Sequence, residues 1–262
     1  FFWFFFFLFF FFFFLFFLFF FFNDTATTEI YTLSLHDALP ILLQASLYLQ
    51  IQKLFSYKNG LAFSNRSDEF FVITNGITLE DHIEIQKKLE SSFDLKLSMS
   101  IGYGDSPFEA NLSAYDGKKS EIKLNEEHNI FGFIDGKLES KVTIMHFDID
   151  NLTSRRKTIS PYEISSLMFK LYASMSEYFL AKKSLSFFMG GDNFMVVANS
   201  NYKQSAEEFI EIIKNEFGID LNCGIGTGKT ARSAAKFATR SLDTIREIRD
   251  SGKEKPEIYE IV

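Results

Sequence analysis

Displaced by 124 residues, the chain matches itself without a gap. Leu61-Ala62-Phe63 meets Leu185-Ser186-Phe187, Asp68 meets Asp192, Phe70 meets Phe194, and Val72 meets Val196. Farther on, Phe93 meets Phe217, Ile101-Gly102-Tyr103-Gly104 meets Ile225-Gly226-Thr227-Gly228, and Ala110 and Ala114 meet Ala234 and Ala238. Chance at one fixed offset does not bring apolar positions and glycines together this often, so the chain reads as a duplicated unit. The polar, charged stretch that follows Gly117-Lys118-Lys119-Ser120 suits a boundary. It divides a first repeat (42–120) from a second (139–262) by a linker (121–138).

The second unit predicts its elements most clearly. Val142 to Ile149 has the length and apolar content of a strand. Ser160 is a candidate N-cap and Pro161 a first helical residue. They open a helix to Ala181 with Ile164, Met168, Leu171, Met175 and Phe179 on one face. Leu185 to Met189 and Phe194 to Ala198 flank Gly190-Gly191-Asp192-Asn193 as a hairpin would. Its apolar flanks predict a hairpin in the middle of a sheet. Ser205 to Glu216 predicts a helix, Ile219 to Ile225 a strand, Thr230 to Ile248 a helix and Ile258 to Val262 a last strand. The order strand, helix, hairpin, helix, strand, helix suits an α+β unit with an antiparallel sheet and helices on one face, a ferredoxin-like or palm arrangement. Two such units in tandem are expected.

The start of the chain does not read as part of either unit. The first 22 residues are phenylalanine apart from Trp3, Leu8, Leu15 and Leu18. A membrane span of that length is rejected, because natural spans mix apolar types and carry basic flanks, and no Lys or Arg precedes Lys53. A secretory leader lacks its basic start. Thymine-rich codons give Phe and Leu, and Asn23 to Ile41 resembles translated sequencing-adapter sequence. Residues 1–41 are therefore expected to be a non-native segment. The repeat places the counterpart of the Asp148 strand near residues 18 to 27, so the first repeat is expected to lack its opening strand. Asp24 falls opposite Asp148 at this offset, a coincidence without weight.

Two segments carry the chemistry. Phe147-Asp148-Ile149-Asp150-Asn151 ends a strand with Asp148 and Asp150 two apart, hence on one face. Adjacent carboxylates repel, and a bound magnesium reverses that preference. Alone, the pair reads equally well as two solvated acids. Paired glycines at Gly190-Gly191 let backbone approach phosphate. A central hairpin would carry Asp192 to the end of the Asp148 strand, and the two segments together make a metal cradle. Gly224-Ile225-Gly226-Thr227-Gly228-Lys229-Thr230 fails the Walker spacing, since Cys223 stands where a glycine is needed, and fails the dinucleotide fingerprint too. It remains a strand-to-helix turn, read either as an anion site at a helix start or as a glycine turn with a solvated lysine. In the first unit Arg66-Ser67-Asp68-Glu69 replaces Gly-Gly-Asp-Asn. That turn reads as a degenerate site, a structural partner supplying Arg66, or a plain solvated turn.

The acidic balance, net charge -7 and pI about 5.2, argues against a nucleic-acid partner. One cysteine, Cys223, and four scattered histidines exclude a disulfide framework and a cysteine-rich zinc site. A cytoplasmic protein without a membrane partner is expected.

His146-Phe147-Asp148-Ile149-Asp150-Asn151-Leu152-Thr153, Phe188-Met189-Gly190-Gly191-Asp192-Asn193-Phe194-Met195 and Gly224 to Ala231 resemble the signature segments of archaeal GTP cyclohydrolase III. Ile73-Thr74-Asn75-Gly76-Ile77 is similar to that family's first repeat. The resemblance covers residues 42 to 262. It implies a nucleotidyl-cyclase-like tandem palm fold and magnesium-dependent opening of the GTP imidazole ring. Pyrophosphate is released, leaving a formylamino-pyrimidine ribonucleotide monophosphate on the way to riboflavin- and F420-type cofactors. It also implies one or more Mg2+ ions, a monovalent activator such as K+, and a homo-oligomer. Asp148 and Asp192 become catalytic metal ligands, with Asp150 beside them. Gly190, Gly191, Asn193 and Asn151 become nucleotide contacts, and Lys229 and Thr230 phosphate contacts. The Gly-Gly-Asp turn keeps two alternatives open, a nucleotidyl or dinucleotide cyclase and an inactive GTP-sensing domain.

Overall fold

The computed structural model describes residues 16–22, 38–66, 68–134, 141–152 and 157–262, with 16–22 and 38–40 described by backbone alone. Most of the segment expected to be non-native (1–15 and 23–37), Asp24 and the linker's last residues lie outside the described residues.

The first sheet has strands β1 (Phe16–Phe22), β2 (Leu61–Arg66), β3 (Glu69–Ile73), β4 (Ser98–Gly104) and β5 (Ile130–Gly132), with helices α1 (Ala38–Tyr57), α2 (Leu79–Phe93) and α3 (Pro107–Lys119). The second has β6 (Val142–Ile149), β7 (Leu185–Gly190), β8 (Asn193–Val197), β9 (Leu221–Gly228) and β10 (Ile258–Ile261), with α4 (Pro161–Ala181), α5 (Tyr202–Phe217) and α6 (Ala231–Asp250). The spatial orders are β2-β3-β1-β4-β5 and β7-β8-β6-β9-β10, the same pattern twice. Pairing is antiparallel except at one edge of each sheet, where β5 runs parallel to β4 and β10 parallel to β9. This is an α+β fold.

Local chemistry accounts for most boundaries. Ser160 caps α4 through a capping box with Glu163, and Pro161 takes the first helical position, where no N–H is needed. Thr78 and Thr230 cap α2 and α6 in the same way. On β6, Met145, Phe147 and Ile149 join a core with Met168, Leu171 and Phe179 of α4 and Phe209 and Ile213 of α5. Ile144 and Val142 point the other way, toward the alanines of α6. The expectation of helices on one face is therefore corrected. α4 and α5 cover one face of the second sheet and α6 the other, and every residue of β6 is buried between them.

Three further expectations change. The hairpin β7-β8 lies at a sheet edge, not the middle. Its two faces are covered separately: Phe194 and Val196 pack under α4, while Phe187 stacks on Phe63 of the first sheet, centroids 4.1 Å apart and planes 5° from parallel. The linker contributes β5, an apolar triplet hidden by polar neighbours. The place of the missing opening strand is filled by β1, which pairs with β3 and β4. Its register differs from the 124-residue offset: Phe16 faces Gly104, whereas Val142 faces Gly228. Phe22 consequently stands opposite Ser98, as Asp148 stands opposite Asn222. The first unit has a strand there without the acid.

Candidate functional site

The acids of the second unit sit where β6 runs out. Alternation along β6 sends His146 and Asp148 to the α6 side. Asp148 is 5% exposed. Its Oδ1 accepts from Asn222 Nδ2 at 3.0 Å, and its Oδ2 accepts from Arg246 Nη2 at 2.6 Å and Nε at 3.2 Å. Arg246 Nη1 also donates to Asp243 Oδ1 at 3.0 Å. One helical turn on, Arg249 Nη1 donates to Asp150 Oδ1 at 3.2 Å, and Lys255 pairs with Asp150 Oδ2 at 3.2 Å. Burial pushes the Asp150 carboxyl up, but Lys255 and Arg249 outweigh it and hold it below the ordinary carboxylate range.

The turn between β7 and β8 reaches the same place because β8 pairs with β6, Phe194 opposite Phe147. Gly190 (φ 97°) and Gly191 (φ 64°) take left-handed conformations, and a Cβ at Gly190 would meet no atom within 4 Å. Glycine is needed there for the backbone, not for space. Asp192 Oδ1 accepts from Asn193 Nδ2 at 3.1 Å, and Asn193 Oδ1 lies 3.0 Å from His146 Nε2. His146 Nδ1 lies 3.2 Å from Thr239 Oγ1 of α6. Burial holds the His146 pKa below the usual histidine value, against the opposing pull of Asn193 and Asp148.

Asp148, Asp192, Asn151, Arg246, Arg249 and Asp250 line one cleft of about 440 Å³. On the other side of the turn, Gly191 borders a second cavity of about 420 Å³ walled by Ile164, Met168, Phe169 and Phe188, with Ser165 as its polar group. The structure thus brings Asp148, Asp192 and Asn151 together, with Gly191 and Asn193 in the adjoining turn. Asp150 does not line the cleft and is committed to Arg249 and Lys255. Among the described residues no three His, Cys, Asp or Glu side chains are grouped to hold a metal. Of the three acids expected around a metal, Asp148 and Asp192 line this cleft. Two carboxylates from separate segments, open to a cleft with cationic side chains, still fit magnesium, which is commonly held by one or two carboxylates plus substrate phosphates.

Lys229 and Thr230 are elsewhere. β9 runs antiparallel to β6, so Asn222 lies beside Asp148 and Gly228 beside Val142 at the far end. Seven residues at about 3.3 Å each put Lys229 roughly 23 Å from the acids. The Thr230 hydroxyl accepts from Ser233 N–H as a helix cap. The glycines before it have a packing reason: a Cβ on Gly226 would lie 2.2 Å from Ala238 N and 2.3 Å from Ala234 O. Gly102 meets Ala114 N and Ala110 O in the same way in the first unit. Sequence reasoning missed Arg246, Arg249, Asn222 and Lys255. The one signal for them was the cationic i, i+3 pair in the last turns of α6, which gains meaning only once the strand direction is known.

The first unit's turn is closed on itself. Arg66, at the place of Gly190, donates through Nε to Glu69 Oε2 at 2.9 Å, and Asn65 Nδ2 donates to the same oxygen at 2.7 Å. Glu69 is buried and stands where the second unit has Asn193.

The model of the GTP cyclohydrolase III family matches residues 36–257. The chain is 34% identical over 212 residues to the GTP cyclohydrolase III of Methanothermobacter thermautotrophicus, covering 78% of this chain and 84% of that one. It is 33% identical over 218 residues to the GTP cyclohydrolase III of Methanocaldococcus jannaschii, covering 78% of each. Among solved structures, the GGDEF domain of DgcB from Caulobacter crescentus in complex with c-di-GMP aligns with TM-score 0.38 at 14% identity over 46% of this chain and 77% of that one. The matched range spans both sheets' helices and the acid end of the second sheet, and the chain belongs to the GTP cyclohydrolase III family.

Proposed function

We propose that the chain hydrolytically opens the imidazole ring of GTP in a magnesium-dependent reaction that also removes the β and γ phosphates, leaving a formylamino-pyrimidine ribonucleotide monophosphate. One observation carries this reading: Asp148 and Asp192, from different segments, open on a single cleft with Arg246 and Arg249, within a chain whose relatives bear that activity's name. The two guanidiniums suit phosphate oxygens, which they engage in planar, paired contacts. The cavity walled by Phe169, Phe188 and Met168 suits a purine face, and Ser165 supplies a polar contact to its edge. Gly190 and Gly191 let the chain between the two cavities lie close to the ribose and phosphates. Asp148 and Asp192 would hold magnesium, which supplies phosphate charge neutralisation and a more acidic water. Arg246 neutralises Asp148 in the structure, so a cation beside Asp148 would leave the guanidinium for phosphate. A second reading, a nucleotidyl or dinucleotide cyclase, rests on the Gly-Gly-Asp turn.

Incubation with GTP and magnesium separates the readings. Loss of the guanine chromophore with a formylamino-pyrimidine product is expected, and chelation of magnesium abolishes it. A cyclic nucleotide with intact guanine absorbance would establish the cyclase, and binding without turnover a sensor.

A further inference from the structure

We propose that His146 is a positioning residue for the Asp192 carboxylate, acting through the side-chain amide of Asn193. This rests on the reading of Asp192 as a site carboxylate. The connection crosses three elements: Thr239 on α6, His146 on β6, and Asn193 at the start of β8. Its polarity follows from what each group can do. A carboxylate only accepts, so the Asn193 contact with Asp192 Oδ1 must be made by the amide NH2. The amide oxygen then faces His146, and His146 must offer an N–H from Nε2. Nδ1 is left to accept from the Thr239 hydroxyl, which can donate. Each donor meets an acceptor in this arrangement. A flipped Asn193 would set its amide oxygen against the Asp192 carboxylate.

The placement gives the connection a purpose. Gly190 and Gly191 make the turn permissive, so the turn's backbone does little to fix the Asp192 side chain. His146 is 7% exposed and lies on the central strand, two residues before Asp148 on the same face. Through Asn193 it ties the turn's carboxylate to the strand that carries the other. Groups that orient site carboxylates from behind typically change activity or metal affinity 10- to 100-fold when removed.

The test compares His146→Leu, His146→Gln, Asn193→Ala and the double variant His146→Leu/Asn193→Ala in the full chain. The Gln amide can place an N–H near that of Nε2. kcat/KM for GTP is expected to fall about 10-fold or more in His146→Leu. His146→Gln should stay within about 3-fold of the parent, and the double variant should be no worse than Asn193→Ala. Additive losses, or a folded His146→Gln as impaired as His146→Leu, would overturn the proposal. A separate arm needs no turnover: the imidazole 15N spectrum of the nucleotide-free chain. A neutral Nε2–H ring whose N–H signal is lost in Asn193→Ala is expected, and a neutral Nδ1–H ring would overturn it. If the parent chain leaves GTP untouched, the proposed function fails while this spectrum still decides the role of His146.

Discussion

Asp148 and Asp192 show how far single residues announce their work. Both acids stand out from the sequence, because an Asp at a strand end and a Gly-Gly-Asp turn need a reason. Their partners do not. Arg246 and Asn222 reach Asp148 only through the register of β9 against β6 and the pitch of α6, and neither is encoded locally. Asp150 looked equivalent to Asp148, yet two residues along the chain it has left the strand and turned to Lys255. Asp192→Ala is expected to cut kcat/KM for GTP at least about 100-fold, some 2.7 kcal/mol of transition-state stabilisation. Thermal unfolding should be near that of the parent, because the residue is partly exposed at a turn. Unchanged magnesium-dependent turnover in this variant would remove Asp192 from the site.

Elements were more legible than residues. Capping residues, apolar periodicity and glycine turns predict β6, α4, the β7-β8 hairpin and α6 to within a few residues of where they lie. What the periodicity does not carry is the identity of the partner. The hairpin's apolar flanks signalled burial, and the burial comes from α4 on one face and from Phe63 and the inter-sheet core on the other, not from a central place in the sheet. The Gly-x-Gly-x-Gly of β9 misled for a related reason. Glycine serves two ends, freedom of φ and absence of Cβ, and sequence does not tell them apart. Substitution does. Gly226→Ala forces a methyl group against the α6 backbone and is expected to cost about 1–3 kcal/mol or more. Gly190→Ala meets open space and is expected to cost about 1–2 kcal/mol from its positive φ alone. Urea unfolding of both variants checks the order. An inverted order would mean that the helix does not lie as close to β9 as the structure has it.

On the scale of the whole molecule the two halves touch reciprocally. Phe108 N–H donates to Lys183 O at 3.2 Å, and Arg232 N–H donates to Asn59 O at 3.3 Å. The 124-residue offset carries Phe108 to Arg232 and Asn59 to Lys183. The stacked Phe63 and Phe187 are likewise offset equivalents. Such reciprocity is the mark of a two-fold contact between like surfaces. It was visible in the sequence only as a repeat, since the contact surface has no local signature. The halves differ in chemistry: one turn opens with glycines, and the other is locked by Arg66 on Glu69. Acid should loosen the first half through His82, which burial lowers to about 4 although its Nδ1–H donates to Thr78 O at 2.6 Å. Folded, this histidine binds fewer protons than it does unfolded. Its contribution is therefore full above about pH 6.5 and declines as pH falls toward about 4, by up to about 3 kcal/mol. Unfolding free energies across that window, with His82→Asn flattening the curve, check it. The central claim is that the nucleotide's phosphates meet the acid end of the second sheet, not the glycine-rich turn at its far end. The direct measurement is kcat/KM for GTP in Arg246→Met against Lys229→Met. Loss of two charge-assisted hydrogen bonds predicts a drop of about 30-fold or more for Arg246→Met and a change of less than about 2-fold for Lys229→Met. A large loss in Lys229→Met with Arg246→Met unaffected would contradict the account.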